Sequence, residues 1–555
     1  MRRVAVFDCE TQPFDGISQN YRPFAIGFFD GIQYRRFWGY HCVSNFIYFL
    51  KQYPEPLVLY AHNGGKFDFI FFMPWMDQNL LLINGRITKA IIPGSSPGIK
   101  HELRDSYSII PEPLSDFTGQ SEKIKIDYEW MKPQFREKHK AEICEYLRMD
   151  CMTLYEGVMH FRNDFADALT IGMASLKEFR KFHPFEKLTE TEDAIFRKFY
   201  FGGRCQCFKV GLFKLRGETF KIYDVNSMYA SVMKKELHPV TASYDMESTI
   251  TRRTTFACIE ATNDGVLPQR VKTNGVQSLD FTVRQGIFFA SIHEINAGLD
   301  LGLLKIKRVV YSIAHHKRSS FATFVDWTNE KKLEMEKKGE RAKRNNYKRV
   351  QNSCYGKFAQ DPGNFKDHII LPVGQIPPEP WIPSFINDEY AIYQKPSIRH
   401  VYNNVAISAS ITSAARAVLL RGLASSSSPL YCDTDSIICK RFNGDIDPFR
   451  LGAWKLEKEG STLAIAGKKQ YVLKAGNEVL KLAAKGVPVK HPRLSDTICQ
   501  LAERRDTFAE IPNVAPHFNL DGSVTYITRR IHATGKATAF AQTPSLERVA
   551  RKPAR

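Results

Sequence analysis

The segment 430–440, LYCDTDSIICK, places two carboxylates one residue apart inside an apolar, β-branched run. A β-strand alternates its side chains with a period of two, so Asp433 and Asp435 can project to the same side. Two anions held that close repel each other unless a cation joins them, and carboxylate oxygens are ligands that Mg²⁺ prefers. The spacing therefore indicates a metal site near the tip of a hairpin. An ordinary solvated turn is the alternative.

A third carboxylate, Asp224, ends an apolar strand in the segment KIYDVNSMYASVM. If this strand pairs with the Asp433–Asp435 hairpin, the three acids form a site for two metal ions. One ion would lower the pKa of an attacking 3′-hydroxyl, and the other would hold a triphosphate. Tyr229, five residues after Asp224, would lie beneath the incoming sugar and exclude a 2′-hydroxyl. Ordinary core packing is the alternative interpretation of this tyrosine.

A separate set of acids lies near the amino terminus. Asp8 and Glu10 alternate at the end of the predicted strand VAVFDCE, so both project from one face. Asp68 follows the glycine-rich turn of HNGGKFDFIFF, at the start of a predicted helix whose dipole favours an anion. Tyr146 and Asp150 are four apart on the helix EICEYLRMDCMTL and share one face. Four acids from three elements, with a hydroxyl beside the last, are what two-metal phosphodiester hydrolysis requires. Taken singly, each acid is also explained as a cap, a surface pair or a turn.

Two antiparallel helices are predicted over Phe321–Phe358, with a turn at Lys337–Glu340. On the second helix a single stripe recurs at steps of three, four, four and three, formed by Arg341, Arg344, Lys348, Asn352 and Tyr355. Such cations can bind the oxygens of a triphosphate while the tyrosine ring stacks near a base. A solvated charged face is the alternative, but the change from cations to an amide and an aromatic ring favours a tapering ligand.

The composition and net charge of the chain limit the kinds of molecule that it can bind. The chain of 555 residues carries a formal net charge of +19 and a sequence pI near 9.3, an excess that favours nucleic acid phosphates. A membrane surface is the competing partner, but the basic residues are scattered and the longest apolar stretches, such as Phe67–Met76, are too short to span a bilayer. The amino terminus lacks the apolar core of a signal peptide. Eleven cysteines without a repeated CxxC favour reduced thiols and argue against zinc.

The elements that must position these side chains differ in type along the chain. Residues 1 to about 165 alternate strands and helices as in an α/β domain, with strands Arg3–Phe7 and Leu57–Ala61 and a helix Lys138–Phe161. A β-rich stretch covers about 240–312, and Pro and Gly cluster in an irregular insertion over about 361–397. A helix of small residues is predicted over Val405–Leu423. A chain of this length predicts roughly three to five structural units.

The ordered motifs resemble those of family B DNA polymerases. DVNSMY is similar to motif A of that family, KRVQNSCYGK to motif B and YCDTDS to motif C. GKKQYVLK resembles the Lys-x-Tyr element that grips a primer end, and YFGGR resembles the Tyr-x-Gly-Gly element that links the two halves of these enzymes. The amino-terminal order DxE, NxxxFD and YxxxD resembles the three motifs of proofreading 3′–5′ exonucleases. Motif A departs from the family pattern, since Met and Ala stand where Leu and Pro are usual.

The resemblance implies an α/β and α+β multidomain fold, in which a ribonuclease H-like 3′–5′ exonuclease domain is followed by a right-hand polymerase of palm, fingers and thumb. The implied boundaries are exonuclease 1–165, palm 166–236, a first insertion 237–312, fingers 313–358, a second insertion 359–400, palm 401–485 and thumb 486–555.

The resemblance also implies roles for individual residues. Metal in the palm would be held by Asp224, Val225 and Asp435, with Asp433 adjacent and supporting. Metal in the exonuclease would be held by Asp8, Glu10 and Asp150, with Asp68, Tyr146 and Lys123 also catalytic. The nucleotide would be bound by Tyr229, Arg344, Lys348, Asn352 and Tyr355. DNA would be contacted by Asn63, Phe67, Ser106, Tyr200, Gly202, Gly203, Lys469 and Tyr471. The implied cofactor is Mg²⁺, two ions per active site, with Mn²⁺ able to substitute.

The compact size and the two insertions resemble the protein-primed branch of the family, found in phages, linear plasmids and other mobile elements. That branch implies a DNA template and primer, dNTPs and a terminal protein as partners, strand displacement, and a monomer without membrane association inside the host cell of a virus or mobile element. Three alternatives stay open. They are a conventionally primed family B polymerase for repair or small-genome replication, a nuclease-only DNA-binding replication factor, and a generic basic nucleic-acid-binding protein.

Overall fold

A computed structural model describes residues 2–14, 21–117, 126–273, 276–397, 403–487, 493–504, 508–520, 523–532 and 537–542. The amino-terminal part is an α/β unit because its central strands are apolar on both faces and must be covered on both sides. Its elements are β1 (Arg3–Thr11), β2 (Pro23–Phe29), β3 (Tyr34–Trp38), α1 (Cys42–Lys51), β4 (Leu57–Ala61), β5 (Asn79–Ile83), β6 (Arg86–Pro93), β7 (Lys100–Asp105) and α2 (Lys140–Asp164). Short 3₁₀ helices lie at Gly64–Lys66, Asp68–Trp75, Ser106–Ser108, Leu114–Asp116 and Tyr128–Met131.

Helices α1 and α2 cover opposite faces of this sheet. Phe46 of α1 packs against Phe7 and Phe72, whereas Leu154 and Val158 of α2 lie in the core on the other side. The predicted strand Leu57–Ala61 is confirmed, and the predicted strand at Arg3 continues to Thr11. Asp8 and Glu10 therefore lie in the last part of β1, where it pairs with β2 and has passed the stretch Arg3–Val6 that pairs with β4.

The middle of the chain begins with elements that lead into the second sheet, followed by the β-rich stretch predicted from the sequence. The first group is α3 (Ile171–Phe182), α4 (Glu190–Arg197), β8 (Cys205–Cys207), β9 (Gly211–Lys214), β10 (Phe220–Val225) and α5 (Met228–Lys235). The second is β11 (His238–Pro239), β12 (Tyr244–Glu247), β13 (Phe256–Asn263), β14 (Gln269–Thr273), β15 (Val276–Asp280), β16 (Gln285–Ser291), α6 (Ile292–Asp300) and β17 (Leu304–His315). Strands β12, β17, β13 and β16 form a sheet, and α6 packs on it through Ile295 and Ala297.

Two long antiparallel helices follow, as predicted, and then a strand-rich segment that was not predicted. These elements are β18 (Arg318–Ser319), α7 (Ala322–Lys337), α8 (Arg341–Phe358), β19 (Lys366–Pro372), β20 (Ile382–Ile386) and β21 (Tyr390–Pro396), with a 3₁₀ turn at Pro362–Asn364. The segment 361–397 was predicted to be irregular, and this prediction was wrong because the segment forms three strands. Strand β19 pairs with β5 in the register His368 with Leu80 and Ile369 with Asn79, so the insertion extends the amino-terminal sheet to ten strands.

The remaining elements complete the second sheet and end in a small carboxy-terminal unit. They are α9 (Val405–Ala424), β22 (Ser426–Ser427), β23 (Tyr431–Asp433), β24 (Ser436–Cys439), β25 (Arg441–Phe442), β26 (Trp454–Gly460), β27 (Thr462–Gly467), β28 (Gln470–Ala475), β29 (Glu478–Ala484), α10 (Leu494–Arg504), β30 (Phe508–Phe518), β31 (Val524–His532) and β32 (Ala537–Gln542).

The second sheet unites distant segments in the order β26-β10-β24-β23-β8. Asp224 of β10 stands opposite Ser436 of β24, so the acid from residue 224 meets the 433–435 turn. The predicted small-residue helix is confirmed as α9, and it is buried nearly all round. Its alanines, serines and Gly422 allow close approach; a Cβ at Gly422 would come within 2.2 Å of the Trp454 ring.

Candidate active sites

A cavity of about 640 Å³ opens beside the 433–435 turn. Asp224 and Asp435 line it from two adjoining strand ends, and Tyr229 and Tyr355 line it from α5 and α8. The main-chain N–H of Val225 donates to the carbonyl oxygen of Asp435 at 2.9 Å, which ties the two strand ends together. The structure thus brings together acids that lie more than 200 residues apart in the chain.

The carboxylates of this cavity differ in their surroundings. Burial, together with the nearby Asp224 and Asp433 carboxylates, raises the pKa of Asp435 to about 6. Burial also raises the pKa of Asp224, although Lys455 lies 3.5 Å away and opposes the shift. Asp433 accepts hydrogen bonds from Nζ of Lys469 at 2.6 and 2.8 Å. Asp224 and Asp435 are therefore the pair whose mutual repulsion a divalent cation would relieve, and their hard oxygen donors suit Mg²⁺.

Part of the cavity lining is aromatic. The rings of Tyr229 and Tyr355 stack with centroids 4.0 Å apart and planes at 10°. Ser227, which precedes α5, has φ +48°, and this left-handed residue turns the chain sharply from β10 into the helix. Asn352 lines the cavity one turn of α8 before Tyr355. The predicted stripe thus reaches the cavity through its amide and aromatic members.

The cationic members of the stripe precede Asn352, nearer the start of α8. Lys348 is exposed, and Nε of Arg344 lies 3.5 Å from the Glu336 carboxylate. Lys332 of α7 faces them, and burial, with the positive charges of Arg344 and Lys348, lowers its pKa to about 8. Lys332 could not be singled out from the sequence because it is one of several lysines in α7. Only the antiparallel packing of α7 on α8 distinguishes this lysine from the others.

The other residues predicted to contact DNA in this half of the chain are Tyr200, Gly202, Gly203, Lys469 and Tyr471. Lys469 and Tyr471 line the cavity, from β28 and the turn before it. Gly203 packs against the turn between the acids, since a Cβ there would lie 2.9 Å from Oγ1 of Thr434. Gly202 has open space at the corresponding point, and Tyr200 is half-buried. Lys455, Glu457 and Lys481 also surround the cavity or its acids, and sequence reasoning missed all three.

The amino-terminal acids form a second cluster. Carboxylate oxygens of Asp8, Glu10 and Asp150 all lie within 4.8 Å of one another. Asp68 accepts a hydrogen bond from the Cys9 main-chain N–H at 3.1 Å, and burial raises its pKa to about 7. Burial, followed by the nearby Asp150 carboxylate, raises the pKa of the Tyr146 hydroxyl, which therefore stays protonated. Asp8, Glu10 and Asp150, from β1 and α2, converge as the spacing predicted, and their oxygens form a donor set suited to divalent cations. Asp68 is hydrogen-bonded to β1 beside them.

The residues predicted to contact single-stranded DNA near this cluster fall into different environments. Asn63 is exposed at φ +61°, and its side-chain oxygen accepts from Arg86 at 2.8 Å. Phe67 is half-buried and packs against Phe518, with ring centroids 5.0 Å apart. Ser106 is fully buried, with its hydroxyl 3.0 Å from Nδ1 of His62. It therefore supports the loop from behind and does not offer a surface to DNA. Lys123 lies outside the described residues.

No helix in the described part of the chain is both long and apolar enough to cross a membrane.

Comparison with known proteins identifies relatives over nearly the whole chain. The family described as DNA polymerase type B, organellar and viral, matches residues 121–443. The DNA-directed DNA polymerase of Enterobacteria phage PRD1 is 40% identical over 566 residues, covering 96% of this chain and 98% of the relative. The DNA polymerase of Streptococcus phage Cp-1 is 25% identical and covers 75% of this chain and 77% of the relative.

Solved structures of Phi29 DNA polymerase share the fold. Its orthorhombic crystal form has a TM-score of 0.72 at 17% identity and covers 94% of this chain and 98% of that one. Its complex with primer-template DNA and incoming nucleotide substrates has a TM-score of 0.69, also at 17% identity, and covers 98% and 100%. The mixed α/β architecture expected from the motifs is confirmed.

Proposed function

This chain belongs to the organellar and viral type B DNA polymerases, and on that premise we propose that it extends a DNA primer along a template and removes mispaired 3′ ends at a second site. The observation that carries the proposal is the cavity of about 640 Å³ that Asp224 and Asp435 line together with the stacked rings of Tyr229 and Tyr355. Acids and an aromatic platform in one cavity suit a nucleoside triphosphate.

Polymerisation uses the residues of this cavity. Asp224 and Asp435, with the main chain of Val225, would hold two Mg²⁺ ions, which Mn²⁺ can replace. Bound divalent cations supply a lower pKa for the primer hydroxyl and neutralise phosphate charge. The primer 3′-oxygen bonds to the α-phosphorus of the dNTP while the bond to the leaving pyrophosphate breaks. Asp433 stays paired with Lys469, which orients that lysine at the primer end.

The helical hairpin α7–α8 binds the triphosphate, as the fingers of this polymerase. Lys348, Arg344 and Lys332 supply positive charge where negative charge accumulates on the leaving pyrophosphate. Tyr355 and Asn352 line the space for the base, and Tyr229 lies beneath the sugar and excludes a 2′-hydroxyl. The stacking of Tyr229 on Tyr355 supports this role, because a ring held rigidly by another ring keeps its position against an added hydroxyl.

The amino-terminal cluster performs 3′–5′ hydrolysis. Asp8, Glu10 and Asp150 would hold the metal ions, and Asp68 lies behind them, hydrogen-bonded to the strand that carries the first two. The Tyr146 hydroxyl, protonated at neutral pH, orients the attacking water. Asn63 and Phe67 contact the frayed strand, and the buried Ser106 holds the loop that carries them through His62.

Initiation starts from a hydroxyl of a separate terminal protein, and the enzyme works as a monomer that displaces the non-template strand. The two insertions support this proposal. Each has its own strands, and the second lies on the amino-terminal sheet, so it adds surface to the amino-terminal unit. The relatives are phage enzymes, so we place the work of this protein in the replication of a phage or mobile element within its host cell.

Separation of the two activities tests the site assignments. Asp435→Asn should abolish primer extension because one of the two acids that would hold the metal ions loses its charge, while degradation of a single-stranded oligonucleotide continues. Asp8→Ala combined with Glu10→Ala should do the reverse. Both rates are measured on the same preparations with Mg²⁺ and dNTPs. Parallel loss of both activities in either variant would mean that the residues have been assigned to the wrong sites.

Extension of one primer on a single-stranded circle, without helicase, clamp or single-strand-binding protein, tests strand displacement. We expect products longer than the circle. Products that end after one lap would refute built-in displacement and favour a conventionally primed enzyme. Priming is tested separately, by incubating the enzyme with labelled dNTPs and the candidate terminal protein from the same replicon. A labelled nucleotide bound covalently to that protein is the expected result.

A further inference from the structure

The segment Phe201–Arg204 lies directly behind the turn that carries the palm acids. A Cβ at Gly203 would lie 2.9 Å from Oγ1 of Thr434, so the segment Phe201–Arg204 and the turn are in contact at this point. The main-chain N–H of Thr434 donates to the carbonyl oxygen of Arg204 at 2.7 Å. Thr434 has φ +59° and separates Asp433 from Asp435. The position of this segment therefore sets the position of both carboxylates.

A buried arginine of α9 holds the segment. Arg416 donates to the carbonyl oxygens of Phe201 at 2.5 Å and Gly202 at 2.8 Å. The same guanidinium makes a two-pronged ion pair with Glu294 at 2.7 and 3.0 Å, and both side chains are about 2% exposed. Glu294 belongs to α6 of the first insertion. One arginine thus joins the insertion to the segment, and only a planar fork with several donors can make all four bonds.

Two further arginines make the same connection. Arg270 of the first insertion donates to the carbonyl oxygens of Arg197 and Lys198 at 2.9 and 3.1 Å, and its guanidinium lies 4.2 Å above the Phe201 ring. Arg204 reaches the other way. It donates to the carbonyl oxygen of Gly265 at 2.7 Å and stacks 4.5 Å from the Phe281 ring, both in the first insertion. The insertion therefore grips the segment at three points.

From these contacts, and resting on the proposed polymerase function, we propose that the first insertion positions the catalytic turn at Asp433–Asp435, with Arg416 as the central positioning residue. The path runs from Glu294 through Arg416 to the Phe201 and Gly202 carbonyls, and from Gly203 and Arg204 to Thr434. None of the three arginines touches the substrate cavity. They act by fixing where the carboxylates stand, and a shift of about 1 Å at such a site costs roughly 100-fold in rate.

Hydrogen exchange in Arg416→Lys tests the proposal without relying on activity. A lysine keeps the positive charge but cannot donate hydrogen bonds to a carboxylate and two carbonyl oxygens at the same time in this geometry. We expect exchange of the Thr434 amide, followed in peptides covering 430–440, to accelerate about tenfold or more. Peptides covering β1 should exchange as in the wild type. The rate of single dNTP addition should fall about tenfold or more, with the KM for dNTP within about twofold and single-strand degradation unchanged.

Arg270→Ala and Arg308→Ala form a matched pair that guards against misfolding. Both arginines are exposed and belong to the first insertion, but Arg308 pairs with Glu260 at 3.4 Å and does not touch the segment. Arg270→Ala should change exchange and addition rate in the same direction as Arg416→Lys, and Arg308→Ala should match the wild type.

If Arg416→Lys loses degradation as well, it has misfolded and Arg270→Ala decides. The proposal would be overturned if peptides covering 430–440 exchange in Arg270→Ala as in the wild type. It would also be overturned if this variant has a raised KM for dNTP but an intact addition rate. A wild-type protein that adds no nucleotide would refute the polymerase function and leave the exchange result to stand by itself.

Discussion

Asp433 and Asp435 are one residue apart yet have different surroundings. Asp433 is neutralised by Lys469 at 2.6 Å. Burial, followed by the nearby Asp224 carboxylate, raises the pKa of Asp435 to about 6. A carboxylate that a lysine already neutralises gains little from a metal ion, whereas two mutually repelling carboxylates gain most. The same residue type therefore serves to orient a lysine at one position and to provide a metal ligand at the other.

The charge of Lys332 predicts that nucleotide binding depends on pH. Its pKa is lowered to about 8, so the side chain is charged below that pH and loses its proton as the pH rises through it. If Lys332 faces the triphosphate, the KM for dNTP should rise several-fold between pH 7 and pH 9.5. Lys332→Arg should flatten this rise, since arginine stays charged. Lys331→Met is the control, because Lys331 pairs with Glu334 instead. Identical KM profiles for the wild type and Lys332→Arg would contradict the assignment.

At the scale of elements, the second insertion is part of the amino-terminal core. Ile370, Tyr390 and Ile392 of β19 and β21 lie in the same hydrophobic cluster as Phe7 and Phe69. Pairing with β5 covers an edge that would otherwise expose unpaired N–H and C=O groups. Strands β19 and β21 are therefore a structural component of the amino-terminal unit.

Truncation of an insertion side chain should consequently weaken the nuclease domain. Ile370 is 6% exposed, and Ile370→Ala should lower the free energy of unfolding by about 2–4 kcal/mol, the usual cost of a cavity in a core. Ile386→Ala, at 58% exposure in the same insertion, should change it by less than about 0.5 kcal/mol. The unfolding free energy of each variant is measured in a urea titration, with the loss of single-strand degradation as the signal for unfolding. Equal midpoints for the two variants would mean that the insertion packs independently.

At the scale of the whole molecule, the carboxy-terminal strands return to the amino-terminal unit. Phe518 of β30 packs against Phe67 and Phe71, and the Tyr390 hydroxyl of the second insertion donates to the carbonyl oxygen of Leu520. The chain thus connects its last described sheet to both the nuclease loop and the second insertion. These contacts tie the carboxy-terminal strands to the amino-terminal unit of a molecule whose net charge is +19.

That excess of positive charge predicts strongly salt-dependent binding. If about four phosphates are neutralised by lysines and arginines, the affinity for primer-template DNA should fall by ~100-fold between about 0.05 and 0.2 M salt. Fluorescence anisotropy with a labelled primer-template across that range gives the slope of log Kd against log salt concentration. A slope near zero would mean that the charge lies away from the DNA path.

The sequence by itself determined the chemistry of this protein. Side-chain spacing within a strand or helix is set by local backbone geometry, so the DxE, DxD and Tyr-x-x-x-Asp patterns could be interpreted before any fold was known. The two antiparallel helices and the small-residue helix followed from the same local periodicity, and the structure confirms them. The family also followed from these ordered motifs.

Only the tertiary structure decided which of these elements meet. The union of Asp224 with Asp435 depends on the pairing of β10 with β24, and the addition of β19 to β5 joins segments nearly 300 residues apart. The packing that singles out Lys332, buries Ser106 and sets Arg416 behind the catalytic turn also arises between distant segments. Such contacts leave no periodic trace in either partner's own sequence, because each is specified by the shape and charge of the other.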